Sequence, residues 1–179
     1  YELDGRDVLV FSPQGVEADG HDYYNIYNVI YVIGHLDIEN LEFRIENYQE
    51  LDKGFDFYAP QSFEGKDQER IMFGWAGLPE IEYPSDAKKW AHCLTLPRVM
   101  KVRDGKLIQM PAEQLHALRA ESEELKGTLN GQTASMDNKA NCYELQLSIR
   151  NGCANQVTLE LCKSETESLQ VIFDFTKGM

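Results

Sequence analysis

The stretch GFDFYAPQSFEGKDQERIMFGWAG, residues 54–77, carries apolar side chains at both ends and a charged break, EGKDQE, in the middle. Two runs of β-formers around a Gly-containing break read as a β-hairpin. If the first run stays extended throughout, Phe55, Phe57 and Ala59 fall on one face and Asp56, Tyr58 and Pro60 on the other. In the second run, Ile71, Phe73 and Trp75 alternate with Arg70, Met72 and Gly74. A hairpin with one solvated face alternates apolar with polar more cleanly than this. Both faces are therefore expected to meet something. Trp75, beside Gly74 at the strand end, has the flat aromatic face that stacks on a sugar ring, although a strand-end aromatic also serves as core or rim packing.

Outward from this hairpin the same grammar recurs. DVLVFS, YNVIYVIGHL, EFRIE, LTLPRVMKV, KLIQM, CYELQLSIR, QVTLELCKS and SLQVIFDF read as strands. The separators, DG at 4 and 5, ADGHD, RDGK and RNGCAN, carry the Gly, Asn and Asp that tight turns require. One segment, PAEQLHALRAESEELK, predicts a short helix, with Pro111 in its first turn and Leu115 and Leu118 at helical spacing. Both Trp and all the Tyr but Tyr143 precede residue 100, so the composition shifts from aromatic-rich to plainer β-rich around 97–120. The fold class is all-β, and either a propeller or a sandwich accepts such strands.

A formal net charge of −13 argues against nucleic-acid binding, which needs clustered Lys and Arg to neutralise phosphates. No apolar run approaches the roughly 18 residues of a membrane-crossing helix, so no membrane partner is expected. Cys93, Cys142, Cys153 and Cys162 form no CxxC pair and have no histidine at zinc-ligand spacing; they predict free, buried thiols in a reducing compartment, the cytoplasm, and no metal site. The chain begins without Met or leader and enters a strand almost at once, so both ends are expected to be cuts in a longer protein.

GFDFYAPQSF, then RIMFGWAGLPEIEYPSD, then WAHCLTLPR, preceded in order by DGRDVLVFSPQG and YNVIYVIGHLD, resemble successive blocks of glycoside hydrolase family 32, the β-fructofuranosidases that include invertases and sucrose-6-phosphate hydrolases. DGKLIQMPAEQLHALR resembles the family's passage out of its catalytic domain. The resemblance implies the last blades of a five-bladed β-propeller over 1–97, a linker with one short helix over 98–119, and part of a β-sandwich over 120–179. It implies a retaining hydrolase of sucrose 6-phosphate or sucrose, with two carboxylates about 5 Å apart and no cofactor.

The family's WMNDPNG, RDP and ECPD blocks, which carry its nucleophile, transition-state stabiliser and acid/base, do not occur here. Catalytic residues are therefore expected upstream of Tyr1, and this chain alone is expected to be inactive. Asp52, Asp56 and Glu80 are not appointed in their place. The resemblance offers Asp37, Tyr58, Gln61 and Trp75 as substrate-binding residues. Asp37 would pair with a lysine three positions on, where this sequence has Asn40. For a sugar phosphate the nearby basic candidates are His35, Arg70, Lys88, Lys89 and His92, and Arg98 is read as fixing the interdomain junction.

Two rival readings stand beside this one. The first is a non-catalytic carbohydrate-binding or structural β module. The second is an extracellular levanase-like fructan hydrolase. A propeller cut between blades also leaves open strand edges, through which self-association is expected.

Overall fold

The computed structural model describes residues 1–137, 140 and 142–177. It divides into two compact units, Tyr1–Ser122 and Glu123–Met179.

In the first unit, β1 (Glu2–Leu3), β2 (Arg6–Phe11), β3 (Ile30–Asp37) and β4 (Glu42–Glu50) form a four-stranded antiparallel sheet in chain order. The β1–β2 turn is Asp4 and Gly5, with φ of 50° and 73°, as the two-residue type I′ hairpin demands. β3 is an interior strand. Tyr31, Val32, Ile33 and Gly34 are all buried, which explains its near-continuous apolar run. At Gly34 the ladder bulges, and an added Cβ would meet the Arg44 carbonyl oxygen of β4, so only glycine fits.

A second sheet holds β5 (Phe57–Glu64), β6 (Arg70–Ala76), β7 (Cys93–Leu94), β8 (Arg98–Arg103) and β9 (Lys106–Pro111). β7 and β8 both pair antiparallel with β6, at Trp75–Ala76 and Arg70–Met72 respectively, and act as one strand interrupted at Leu96 and Pro97. Pro97 has no N–H to give the ladder, and Thr95 bridges the gap: its N–H donates to the Gly74 carbonyl at 2.9 Å and its Oγ1 accepts from Gly74 N–H at 3.0 Å. Each sheet is therefore a four-strand meander, the unit of a propeller blade. The β8–β9 turn is again Asp-Gly, residues 104 and 105, with φ of 52° and 70°.

The two sheets share one core, in which Val8, Tyr31 and Ile33 of the first meet Phe57, Met72, Met100 and Leu107 of the second. Arg98 locks the segment between the sheets. Its Nη1 donates to Asp52 Oδ2 and to Gln109 Oε1, and its guanidinium lies 4.9 Å from the Phe57 ring centroid. The residue read as an interdomain anchor thus ties the connection between the sheets to the second sheet, inside the first unit.

Several expectations differ from the structure. The hairpin at 54–77 does not stay extended: a bulge at Ala59 and Pro60, with Ala59 at φ 45°, shifts the register so that Tyr58 opposes Trp75 and Gln61 opposes Phe73. Tyr58 and Gln61 therefore share a face of the sheet. The stretch at 98–119, read as a linker, lies within the first unit, where its expected strands are β8 and β9. Its expected helix is a 3-10 segment, Glu113–Leu118, with Pro111 ending β9 instead of starting a helix. Only Leu115 of that segment is even half-buried, and a short helix without an apolar face to pack gains nothing that offsets nucleation. The four cysteines are free, but all are exposed instead of buried.

In the second unit the regular structure among the described residues is one antiparallel ladder of β10 (Gln156–Leu161) and β11 (Leu169–Asp174). Residues 142–150, read as a strand, join no ladder among the described residues, and a second facing sheet is not formed among them.

Candidate functional site

Meander topology decides where a site can form. Alternate connections fall at the same end of a meander, so the tight turns at 4–5, 38–41, 65–69 and 104–105 occupy one end of the first unit. The long connections, 12–29, 51–56 and 77–92, occupy the other. Contacts between the sheets follow this division. Asp4 Oδ2 accepts from Val102 N–H at 2.7 Å toward the tight-turn end, while Asn25 Nδ2 donates to the Gly54 carbonyl at 2.6 Å at the long-loop end.

At the long-loop end five aromatic rings stand in a row. Tyr27, from the 12–29 connection, lies 4.9 Å from Tyr58 at the start of β5. Tyr58 lies 6.4 Å from its cross-strand partner Trp75. Trp75 lies 5.0 Å from His92, and His92 meets Tyr83 edge-on at 5.2 Å. All five are half-buried. The opposite face of the hairpin is core: Phe57, Met72 and Gly74 are buried there, and a Cβ on Gly74 would run into the Phe57 ring.

Carboxylates hold both ends of the row. Tyr27 donates its hydroxyl hydrogen to Glu80 Oε1, a bond that raises the phenol's pKa above the ordinary tyrosine value, with burial adding to the shift. Tyr83 donates to Asp56 Oδ2 at 3.2 Å and accepts from Leu78 N–H at 3.0 Å; burial, chiefly, raises its pKa too. Asp56 and Glu80 are thus each engaged by a phenol.

Of the sequence-predicted residues, Tyr58 and Trp75 come together. Gln61 lies farther along β5, exposed, and lines a hollow of about 30 Å³ with Tyr1, Val10 and Met72. Asp37 does not join them. It closes β3 at the tight-turn end, and from Ile30 to Asp37 at ~3.3 Å per residue the strand puts it about 23 Å away along the blade. There its carboxylate accepts from Asn40 N–H at 3.0 Å and from Asn40 Nδ2 at 2.8 Å, and the side-chain bond first, then the backbone bond, lowers its pKa. Asn40 therefore makes the contact that the resemblance gave to a lysine. An open depression of about 560 Å³ beside Asp37 is lined by His35, Glu42 and Arg44 among others.

The basic candidates also separate. His35 Nε2 lies 3.3 Å from Glu46, and Arg70 lies 4.2 Å over the Tyr1 ring toward the tight-turn end. Lys88 and Lys89 are exposed on the 77–92 connection, and His92 is in the ring row. Lys53, which sequence reading passed over, stands at the same end and pairs with Asp22 and Glu50. Tyr27, Tyr83 and Asp56 were also missed as site residues. The signal that finds them is topological: they flank strands on connections that a meander must bring to one end. Among the described residues no group of three or more His, Cys, Asp or Glu side chains could hold a metal ion, and no helix is long and apolar enough to cross a membrane.

Comparison with known proteins places these observations. The model for the glycosyl hydrolases family 32 N-terminal domain matches residues 1–111. Sucrose-6-phosphate hydrolase of Staphylococcus xylosus is 42% identical over 175 residues, which are 97% of this chain and 35% of that protein. The Bacillus subtilis (strain 168) enzyme of the same name is 40% identical over 139 residues, 76% of this chain and 29% of that protein. Among solved structures, a family 32 β-fructofuranosidase of Bombyx mori superposes with a TM-score of 0.63 at 36% identity, over 68% of this chain and 26% of that one. Sucrose-6-phosphate hydrolase from Lactobacillus gasseri superposes at 0.58 and 33% identity, over 66% of this chain and 25% of that one. This chain spans about a third of the length of the curated relatives it matches.

Proposed function

The chain belongs to glycosyl hydrolase family 32, and from that premise we propose that it is part of a retaining β-fructofuranosidase that hydrolyses sucrose 6-phosphate or sucrose. The row Tyr27–Tyr58–Trp75–His92–Tyr83 is the observation that carries the reading. A row of half-buried rings at the loop-rich end of two blades is suited to hold a furanose or pyranose by its C–H face. Such a wall orients the substrate; it does not break the bond.

The reacting carboxylates belong to other blades, because WMNDPNG, RDP and ECPD are absent from this sequence. Residues 1–179 are then inactive alone. The first unit contributes two late blades, and 123–179 contributes strands to a β-sandwich. Gln61, farther along β5, and Asp37, at the other end of the blade, stand outside this wall. No cofactor is required, the enzyme acts in the cytoplasm, and the free edges of the isolated blades favour self-association.

The test has two arms. The chain 1–179 should release no fructose from sucrose or sucrose 6-phosphate. In the enzyme that contains these residues, Trp75→Ala should lower kcat/KM for its sugar by about five- to thirtyfold, as loss of roughly 1–2 kcal/mol of stacking gives. Turnover by the chain alone, or unchanged kcat/KM in the variant, would overturn the reading.

A further inference from the structure

Trp75 has no hydrogen-bond partner for its indole N–H among the described residues, so its tilt is set by the rings beside it, Tyr58 and His92. Those rings are in turn constrained from outside the row. His92 is wedged between Trp75, the edge of Tyr83 and the backbone of Gly77, where an added Cβ would collide with the imidazole. Asp56 fixes two of those three surfaces at once. Its side chain accepts the Tyr83 hydroxyl at 3.2 Å, and its main-chain carbonyl accepts Gly77 N–H at 2.8 Å. At the opposite end, Tyr27 is held against Tyr58 by its bond to Glu80, which joins the 12–29 connection of one sheet to the 77–92 connection of the other.

We propose that Asp56 and Glu80 are positioning residues that, acting through Tyr83 and Tyr27, clamp the ring row from its two ends and set the tilt at which Trp75 faces the sugar. The proposal rests on the reading of Trp75 as part of the substrate wall. It gives these two acids a role that needs neither to transfer a proton. Both accept a phenol hydrogen in the resting structure, and both lie one residue removed from the sugar-facing surface. The prime effect of disturbing them is then on substrate affinity, because a misaligned platform loses binding without altering the carboxylates that cleave the bond. The free indole N–H is left as a donor for a sugar hydroxyl, and its direction follows the same tilt.

The experiment separates this clamp from the hydrolase reading. With Trp90→Phe as background, Trp75 is the sole tryptophan. The near-UV circular dichroism and acrylamide quenching of chain 1–179 then report its surroundings. Tyr83→Phe and Tyr27→Phe each delete one oxygen and are expected to fold, whereas Asp56→Ala is a harsher variant; Asp56→Asn keeps an acceptor and should rescue. Both phenol variants should change the Trp75 band and raise its quenching, while Asp56→Asn resembles the parent. In the enzyme that contains these residues, the phenol variants should raise KM about three- to tenfold with kcat within about twofold. An unchanged Trp75 spectrum in both phenol variants overturns the clamp. So does a collapse of kcat in Asp56→Asn at unchanged KM, which would make Asp56 a proton-transfer group. An altered spectrum with unchanged KM leaves the clamp standing and overturns the sugar-wall reading of Trp75.

Discussion

The two units use similar strands to different ends. In Tyr1–Ser122, apolar faces from two sheets close on each other, and Ile33 and Met72 are 0% and 1% exposed. In Glu123–Met179, the β10–β11 hairpin aligns Val157, Leu159 and Leu161 with Phe173, Val171 and Leu169 on one face, yet no described residue of the unit is buried. Alternation alone does not make a core. An amphipathic strand stabilises a fold only when a second apolar surface arrives to exclude water, and a lone two-stranded hairpin is marginal. The site forms in the unit where rigid sheets can hold rings in register.

The largest expected effect breaks this contrast directly. Met72→Ala should destabilise the first unit by about 2–5 kcal/mol, whereas Leu159→Ala should leave its main unfolding transition within about 0.5 kcal/mol. Denaturant unfolding followed by Trp fluorescence reads both, since Trp75 and Trp90 lie in the first unit. Next, Gly34→Ala should cost roughly 1–3 kcal/mol, because its Cβ meets backbone that cannot step aside.

Arg98→Ala comes third, at roughly 1–3 kcal/mol in the same assay. It strips a guanidinium from Asp52 and Gln109, and both Arg98 and Asp52 side chains are less than a quarter exposed. An Arg98→Lys variant should recover only part of this, since an ammonium lacks the planar fork and ring stacking.

Much of the first unit is legible in the sequence. Asp-Gly at 4–5 and 104–105 announces two tight hairpin turns, and YNVIYVIGHL announces a strand. The bulge at Ala59 and Pro60 is hidden because Pro60 marks an irregularity without saying which residues then share a face. Tyr58 and Trp75 are readable as strand-end aromatics. Tyr27, Tyr83 and His92 are not, because their positions depend on where long connections land. For Asp37 the matching motif gives the strand, and the end of the blade it occupies follows from the topology. The helix at 111–126 fails because periodicity at Leu115 and Leu118 is worthless without a surface to receive it.

The smallest expected effect is local to the tight-turn end. Asp37 titrates below the ordinary carboxylate value because Asn40 donates to its charged form. Stability from that contact is present above the unfolded carboxyl's pKa and is lost as pH falls through the lowered folded value. Asn40→Ala removes the side-chain bond, so the Asp37 pKa should rise toward its ordinary 3.8. A carbonyl-detected NMR titration would show it, and an unmoved midpoint would assign the depression to the backbone bond.

One measurement addresses the whole account: amide and indole NMR shifts of chain 1–179 titrated with fructose and sucrose. Shifts are expected at Tyr58, Trp75 and His92, with the Asp37 hairpin and residues 156–174 unmoved. Shifts confined to Asp37 or to the second unit, with Trp75 silent, would contradict it.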